Sequence, residues 1–402
     1  MPLYQYKAIN KTGESIQGRY SAKDRTEILQ MLRNNQYHPV IVKEVVEGTD
    51  LGKMALFNKV KTKDIAIFAR QFYAMLNAGV TIIQCLDILR QQTESKPFKA
   101  VIEQIYESVQ KGANLSEALK NHKNVFPEIF IHMVEAGELS GTLDSIMDRM
   151  AVHFEKETKI QNKVKAAMIY PLILSIVAVS VVIFLLVVVM PTFIGMFEGS
   201  GVPLPGPTRL LMGMSSGIQN YWYILLSGLF LIIYVTNRYI KTDVGRMAID
   251  RLKLRIPIVK TTIVKVATSR FTRTLSTLLA SGISLLPAMD IVAKVVDNRV
   301  IGDGILAVKE ELRKGFDLAG PIHRLGIFPP MVDSMIRIGE ESGSLDEVLR
   351  RTADFYDEEV EVAIQKMTSM LEPLMIVVMA AIIGFIVVAM MLPMFDMVNT
   401  VQ

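Results

Sequence analysis

Few residues of this chain have the types and spacing that catalysis requires. The segment 13–18 begins and ends with glycine, which is the spacing of a phosphate-binding loop, but no Lys-Ser or Lys-Thr pair follows to hold phosphate and Mg²⁺. The segment also falls in a predicted β-hairpin, whereas a phosphate-binding loop joins a strand to a helix. No His-Glu-x-x-His motif occurs. These observations predict a protein without catalytic residues, and therefore not an enzyme.

Residues that bind metal ions are scarce. Cys85 is the single cysteine, which excludes an intrachain disulfide and a cysteine-rich zinc site. It lies on an apolar helix face and is predicted to be a small core residue. His122, His132 and His153 are loosely spaced, which favours surface or packed histidines over metal ligands. The sequence therefore predicts neither a metal site nor a bound cofactor.

Two arginines and an acidic stretch are the other charged features of interest. Arg70 and Arg273 lie beside apolar stripes, and we expect them to pair with an internal carboxylate such as Asp87 or Asp290. A contact with a partner protein is the alternative role for both arginines. The acidic stretch either binds a cation or a basic partner, or forms a solvated helix face. Its members are Asp354, Asp357, Glu358, Glu359 and Glu361.

The composition indicates a membrane protein. Half of the 402 residues are hydrophobic, only 21% are charged, and the mean hydropathy of +0.33 is high for a soluble chain of this length. The 44 Lys and Arg residues exceed the 40 Asp and Glu residues by only four charges. That excess is too small to indicate nucleic acid as the main ligand.

Three apolar stretches are candidates to cross the bilayer. Leu172–Met190 and Leu374–Leu392 approach the ~20 residues that a spanning helix needs. Tyr221–Val235 is shorter and begins with three aromatic residues, as at a membrane interface, and a buried core helix is its alternative reading. All three stretches lack Asp, Glu, Lys, Arg and His, which argues against a transport pathway.

Basic residues predict the orientation of the chain. They are abundant before the first stretch and after the second, whereas the segment 193–220 carries only Arg209. Because Lys and Arg stay on the cytoplasmic side, we expect the N-terminal part and the region 237–370 to be cytoplasmic and 193–220 to be external. Three crossings then place the tail 394–402 outside.

The chain contains an internal duplication. Residues 68–79 match 271–282 at an offset of 203, and residues 137–144 match 339–346 at an offset of 202. A long colinear match with one gap is strong evidence for duplication. Each copy has helical periodicity, and the first apolar stripe of each is followed by a glycine where a helix C-terminus favours a left-handed residue. These glycines are Gly79 and Gly282.

These patterns predict a mainly α integral membrane protein with two duplicated cytoplasmic six-helix bundles and three transmembrane helices. Alternation and turn residues near the N-terminus predict a small ββαβ domain. The predicted organisation is the N-terminal α+β domain 1–47, linker 48–63, first bundle 64–168, first span 169–192, external loop 193–220, second span 221–236, second bundle with its lead-in 237–372, third span 373–393 and external tail 394–402.

The sequence Gly-Glu-x-Ser-Gly-x-Leu-Asp occurs once in each copy, ahead of a predicted span. With this duplicated motif the chain resembles the type II secretion system F protein family, which includes the inner-membrane platform protein of type IV pilus machines. The resemblance covers nearly the whole chain. Tyr-Pro at 170–171 and Leu-Pro-Met-Phe at 392–395 are most similar to the pilus platform proteins. A secretion-system member that drives pseudopilus assembly and protein secretion is the alternative, and a membrane transporter is a third.

The resemblance implies a non-enzymatic platform in the bacterial inner membrane that couples ATP-driven movement to insertion of pilin into a growing fibre. The implied partners are a hexameric cytoplasmic assembly ATPase, pilin or pseudopilin, other inner-membrane alignment proteins, further copies of the chain in a homo-oligomer, and membrane lipid. Nucleic acid is not among them. The candidate motif and partner-contact residues are Arg70, Gly79, Gly137, Glu138, Gly141, Arg273, Gly282, Gly339, Glu340, Gly343, Glu358 and Glu359.

Overall fold

The computed structural model describes residues 3–9, 15–21, 28–30, 37–45, 60–197 and 205–400. The N-terminal unit contains three strands, β1 (Leu3–Ile9), β2 (Ser15–Ser21) and β3 (His38–Val45). They form an antiparallel sheet in the order β2-β1-β3. The middle strand carries the alternating pattern that predicts a strand, and its inward-facing Ala8 is fully buried.

The remaining predictions for the N-terminus fall partly outside the described residues. Gly18 lies within β2, opposite Tyr6, so the second glycine of the 13–18 segment belongs to a strand. Gly13 and residues 48–59 of the predicted linker lie outside the described residues. Of the predicted helix between β2 and β3, only residues 28–30 are described, and they are helical. The complete ββαβ domain therefore stays a prediction.

Six helices form the first repeat, as the periodicity predicts. They are α1 (Thr62–Asn77), α2 (Ile82–Gln92), α3 (Lys96–Gln110), α4 (Leu115–Lys120), α5 (Glu128–Ser140) and α6 (Leu143–Phe184). Their shared core contains Phe68, Phe72, Phe126 and Phe130, whose ring centroids lie 5.1–6.2 Å apart in neighbouring pairs. Cys85 is fully buried in this repeat, as predicted.

A π-helical turn and three further helices follow the first repeat. The turn is Leu185–Val189, and it continues directly into α7 (Met190–Phe197). Helix α8 (Gly206–Ile240) contains one non-helical residue, Tyr221, which kinks it, and α9 (Asp243–Arg255) leads to the second repeat.

The second repeat has the same number of helices as the first. They are α10 (Pro257–Leu279), α11 (Leu285–Val295), α12 (Arg299–Arg313), α13 (Ala319–Leu325), α14 (Pro330–Ser342) and α15 (Leu345–Thr400). Phe271 and Phe328 pack in its core with their ring centroids 4.8 Å apart, at the positions that Phe68 and Phe126 occupy in the first repeat. The structure thus confirms a duplication of six-helix units.

Gly79 and Gly282 end the first helix of each repeat. Both have φ of +80°, a left-handed conformation that a side chain disfavours. The amide of the residue after each glycine, Val80 or Ile283, donates to a carbonyl five residues back, which completes the helix cap. Their predicted role at helix C-termini is confirmed, so both act in the fold.

Three helical segments among the described residues are long and apolar enough to cross a membrane. They are Leu143–Phe193, Gly206–Ile240 and Leu345–Pro393. In the first and third, the chain passes from a bundle into the apolar stretch without leaving the helix, so α6 and α15 belong to both.

The segment 193–220 is largely helical, where the sequence predicts an external loop. Helix α7 extends to Phe197, and α8 begins at Gly206. The reason lies in Leu211, which is buried against residues of the first and third spans. Burial of this apolar face stabilises the first half of α8, although Gly213 and Gly217 lower its helix propensity.

Candidate functional site: the repeat motif and the contact between the repeats

The Gly-Glu motif positions a carboxylate at the start of a short helix in each repeat. Glu138 accepts hydrogen bonds from the amides of Leu115 and Ser116, at 2.6 and 3.0 Å. In the second repeat Glu340 accepts from the amides that begin α13, those of Leu318 and Ala319, at 2.6 and 3.1 Å. The first N–H groups of a helix lack partners within it, and a carboxylate there also favours the helix dipole. These two glutamates therefore cap α4 and α13.

Gly137 and Gly339 allow two helices to approach closely. A Cβ atom on Gly137 would lie 3.2 Å from the Cα of Leu143, and one on Gly339 would lie 2.9 Å from the Cα of Leu345. Both distances are too short for an ordinary Cβ contact, so α5 packs against α6, and α14 against α15, only with glycine here. The predicted contact with a partner is not needed to explain either residue.

Gly141 and Gly343 turn the chain between these helix pairs. Their φ values are +71° and +66°, and they form the left-handed cap of α5 and α14. The duplicated motif is thus a helix hairpin: one glycine for close packing, one glutamate to hold a neighbouring helix, and one glycine for the turn.

Arg70 and Arg273 link the first helix of each repeat to the last. Arg70 contacts Asp148 at 2.7 Å and Glu155 at 2.8 Å, both on α6. Arg273 contacts two carboxylates on α15, those of Asp354 at 2.9 Å and Asp357 at 2.6 Å. Glu155 and Asp357 occupy equivalent positions at the offset of 202, so the duplication preserves this ion pair.

The predicted partners of these arginines, Asp87 and Asp290, are wrong. Asp87 pairs with Arg90 on its own helix, and Asp290 pairs with Lys309 at 2.6 Å. The reason is geometric, because α1 and α10 pack mainly against α6 and α15, whereas α2 and α11 bring their aspartates to other basic side chains. The predicted structural ion pair exists, and only its acidic partner differs.

The same ion pair is exposed in the first repeat and buried in the second. Side chains of Arg70, Asp148 and Glu155 are 38–47% exposed, whereas those of Arg273 and Asp357 are each 11% exposed. The hydrogen bond from Arg70 lowers the pKa of Glu155 despite partial desolvation. In the second repeat, Ser269 also donates to Asp357 at 2.6 Å. A buried pair of this kind is costly to break because one charge stays behind without its partner.

Helices α6 and α15 lie side by side in the same direction and join the two repeats. Lys159 contacts Glu361 at 2.8 Å, and the hydroxyl of Tyr170 donates to Glu372 at 3.1 Å. In both contacts the two residues are equivalent copies at the offset of 202. Contacts between equivalent positions indicate an approximate two-fold relationship between the repeats about an axis along these helices. The opposite charges of Lys159 and Glu361 are a signal of this contact that is present in the sequence.

Charge complementarity holds this contact together. On α6 the lysines 156, 159 and 163 face carboxylates of α15, with Lys156 lying 3.5 Å from Asp357 and Lys163 paired with Glu361. Arg270 on α10 binds Glu157 on α6 at 2.5 Å. Burial opposes ionisation of Glu157, but Arg270 lowers its pKa below the usual value.

The acidic stretch is therefore mostly occupied within the molecule. Asp354, Asp357 and Glu361 face basic residues of the first repeat, and Glu359 pairs with Lys265 at 2.5 Å. Glu358 is the exposed member and makes no ion pair with a residue that the structure describes. The acidic stretch as a whole is therefore neither a solvent-exposed helix face nor a cation site.

His153 is buried between the repeats. It is 7% exposed, and its Nδ1 atom has no hydrogen-bond partner among the described residues. Burial lowers its pKa to about 4. The positive charges of Arg273 and Arg270 also lower this pKa, whereas the negative charges of Glu157 and Asp357 raise it. The histidine is therefore neutral in the folded protein near neutral pH. Among the residues that the structure describes, no group of three His, Cys, Asp or Glu side chains is arranged to hold a metal ion.

A second contact lies at the far end of the apolar helices. Leu186 and Met190 of the first span pack with Leu211 of α8 and with Ile386 and Met390 of α15. This cluster fixes the first half of α8 against both spans.

Polar side chains of α8 satisfy backbone groups at this contact. Ser215 donates to the carbonyl of Leu186 at 2.5 Å, and Gln219 donates to that of Val187 at 3.2 Å. Both acceptors lie in the π-helical turn, which leaves carbonyls without regular helical partners. Thr208 donates to the carbonyl of Ala389 at 2.5 Å. Ser215 is also the centre of a Gly-x-Ser-x-Gly pattern at 213–217, but it lies within a helix and not on a nucleophile elbow.

Comparison with known proteins agrees with the duplicated architecture. The family profile described as type II secretion system protein F matches residues 68–191 and again 271–393, and the profile of its N-terminal domain matches residues 1–43. The chain is 37% identical to the type IV pilus assembly protein PilC of Myxococcus xanthus over 99% of this chain and 96% of that protein. It is 38% identical to PilC of Thermus thermophilus over the full length of both. It is 31% identical to the type II secretion system protein F of Vibrio cholerae over 99% of each chain.

Proposed function

Because the chain belongs to the type II secretion system protein F family, we propose that it is the inner-membrane platform protein of a type IV pilus assembly machine. In this function it couples a hexameric cytoplasmic ATPase to the insertion of pilin into the growing fibre. Full-length similarity to relatives named type IV pilus assembly proteins is the observation that carries the proposal. A role as secretion-system protein F is the second candidate, which the similarity at 31% identity supports.

The proposed topology has both bundles in the cytoplasm and the α7–α8 connection outside. The parallel arrangement of α6 and α15 supports it, because two parallel spans need one returning helix between them, and α8 supplies it. The basic residues around α9 also favour the cytoplasmic side. A reporter fused near Gly201 should therefore be active outside the cytoplasm, and fusions near Lys120 and Lys314 should be active inside. Cytoplasmic activity of the Gly201 fusion would contradict this topology.

Continuous helices make the chain suitable for transmitting movement. Each bundle ends in a helix that runs on into the membrane, and the ion pairs of Arg70 and Arg273 fix that helix to the first helix of its repeat. The contacts between α6 and α15 then join the two bundles. A push on either bundle is passed to both spans, because rigid packed elements carry displacement. No step of this mechanism requires chemistry in the chain itself.

The residues available to an ATPase differ from those that build the fold. Gly79, Gly137, Glu138, Gly141 and their second-repeat equivalents are used inside the bundles. Of the acidic candidates, Glu359 is engaged by Lys265, whereas the carboxylate of Glu358 is exposed. We place the acidic part of the ATPase contact at Glu358. A basic surface of the partner would complement it.

The half of α8 that leads to the cytoplasmic side offers a surface to other partners. After the kink at Tyr221, the apolar side chains of α8 up to Val235 are 50–72% exposed. In the assembled machine this face lies against lipid, pilin or another copy of the chain.

Deletion of the gene in a host that makes both fibres and secreted enzymes tests the proposed function. The deletion strain should lose surface pili and keep secretion, and the wild-type gene should restore the pili. Loss of secretion with normal pili would instead support the second candidate.

A further inference from the structure

A cleft of about 480 Å³ lies where the second repeat meets α6. Helices α6, α9, α10 and α15 all contribute to its lining. Much of that lining is apolar and includes Ile160, Val164, Ile263, Val266 and Met367. A cavity of this size and character suits an organic ligand with a hydrocarbon part.

The cleft lies close to the membrane surface. Val164 precedes the predicted start of the first span by five residues, and Met367 precedes the third span by six. At the helical rise of 1.5 Å per residue, both are within roughly 10 Å of the hydrocarbon region. This depth corresponds to the lipid headgroups, on the side that the proposed topology assigns to the cytoplasm.

Basic side chains form part of the polar lining, which also includes Asp297 and the neutral residues Gln161, Thr262 and Asn298. Lys165 makes no ion pair with any residue that the structure describes, and Lys253 is half exposed and contacts Asp250 at 3.0 Å. Arg270 also lines the cleft, but Glu157 and Asp297 already neutralise it. Lys165 therefore supplies most of the positive charge that is open to a ligand, and the half-exposed Lys253 adds to it although Asp250 partly neutralises it.

We propose that this cleft binds one anionic phospholipid of the cytoplasmic leaflet, with its phosphate at Lys165 and Lys253 and one acyl chain against the apolar wall. Charge complementarity selects an anionic headgroup, and the apolar wall beside the membrane selects a lipid over a soluble phosphate. The bound lipid fills the space between α6 and α10 and thereby joins the first span to the second repeat. This inference goes beyond the proposed function and rests only on its topology.

Native mass spectrometry of the purified full-length chain in neutral detergent measures this binding. Dioleoyl phosphatidylglycerol should bind at one molecule per chain with higher affinity than dioleoyl phosphatidylcholine, and glycerol 3-phosphate should not compete with it. Equal binding of the two lipids would overturn the proposal. Effective competition by glycerol 3-phosphate would also overturn it, because the site would then recognise a free phosphate.

The double variant K165Q/K253Q tests the headgroup contact. An unpaired lysine near an anionic headgroup contributes roughly five-fold in affinity, and Lys253 contributes less because Asp250 partly neutralises it, so phosphatidylglycerol should bind at least about five-fold more weakly to the variant. The matched control is K111Q/K314Q, which removes two exposed lysines at equivalent turns of the two repeats and should leave the affinity unchanged. Equal losses in both variants would show a general surface attraction and would refute the site.

The variant I263W fills the apolar part of the cleft and should also reduce lipid binding. Circular dichroism at 222 nm establishes whether it folds. Extraction of the lipid retained by the wild-type chain gives an independent measurement, in which anionic lipid should be enriched over the membrane it came from. Absence of this enrichment would contradict the proposal. A protein dimer that disappears in K165Q/K253Q would also contradict it, because a second copy of the chain would then occupy the cleft.

Discussion

Replacement of Arg273 by alanine should destabilise the protein far more than the equivalent replacement of Arg70. Arg273 and Asp357 are each 11% exposed, so Arg273→Ala leaves a carboxylate buried without its main partner. Breaking a buried pair in this way costs about 3–5 kcal/mol. Ser269 at 2.6 Å and Lys156 at 3.5 Å still face Asp357, which places the expected loss near the lower limit.

Arg70→Ala is the matched control, because the duplication supplies the same ion pair at the surface. The side chains of Arg70, Asp148 and Glu155 are 38–47% exposed, and water screens the attraction between their charges. An exposed pair contributes about 0–1 kcal/mol, so Arg70→Ala should be nearly neutral.

Equilibrium unfolding of the full-length chain in mild detergent, followed by circular dichroism at 222 nm, measures both losses. The double variant Arg273→Ala/Asp357→Ala should recover part of the loss, because it also removes the unpaired carboxylate. Equal free energies of unfolding for Arg273→Ala and Arg70→Ala would refute the reasoning.

Two further predictions concern the contact between the repeats. Burial lowers the pKa of His153 to about 4, so between pH 6.5 and 4 the unfolded chain binds a proton more readily than the folded chain. The contribution of the neutral histidine to stability is therefore complete above pH 6.5 and is lost as the pH falls from 6.5 to 4. His153→Phe, the residue that the second repeat has at the equivalent position 355, should reduce the loss of thermal stability between pH 7 and 5, and an unchanged pH dependence would contradict the assignment. Lys159→Glu should weaken the contact by replacing the attraction to Glu361 with repulsion, and Lys159→Glu/Glu361→Lys should restore part of it, because Lys163 then faces a like charge at 361. Melting temperatures of the single and double variants test this, and a double variant no more stable than the single one would refute the contact.

Much of the architecture can be predicted from the sequence because it depends on repeated local signals. Apolar periodicity and the glycines at 79 and 282 define helices and their ends, and both signals occur twice. The first and third spans follow from apolar length alone, whereas the second, shorter stretch is indicated also by the aromatic residues at its start. In the segment 193–220 the local signals fail, because packing of Leu211 against the other spans stabilises a helix that its composition does not predict.

The site is harder to predict because it depends on which helices are neighbours. The sequence predicts that Arg70 and Arg273 form ion pairs, but their partners lie about 80 residues further along the chain. In each repeat the partner is on the last helix, which contacts the first helix only in the folded bundle. Glu138 and Glu340 likewise bind amides more than 20 residues away, so the motif does not reveal its capping role. The opposite charges at 159 and 361 become informative only once α6 and α15 are known to be parallel.

Co-purification with the cognate assembly ATPase tests the central claim most directly. The full-length chain in detergent should retain the ATPase, the reversal Glu358→Lys should weaken that retention without changing the protein level, and the chain alone should hydrolyse no ATP. Lys314→Glu, a reversal at an exposed turn outside the acidic stretch, is the control and should retain the ATPase normally. Failure of the wild-type chain to retain the ATPase, or ATP turnover by the chain alone, would contradict a platform that couples an ATPase to fibre assembly.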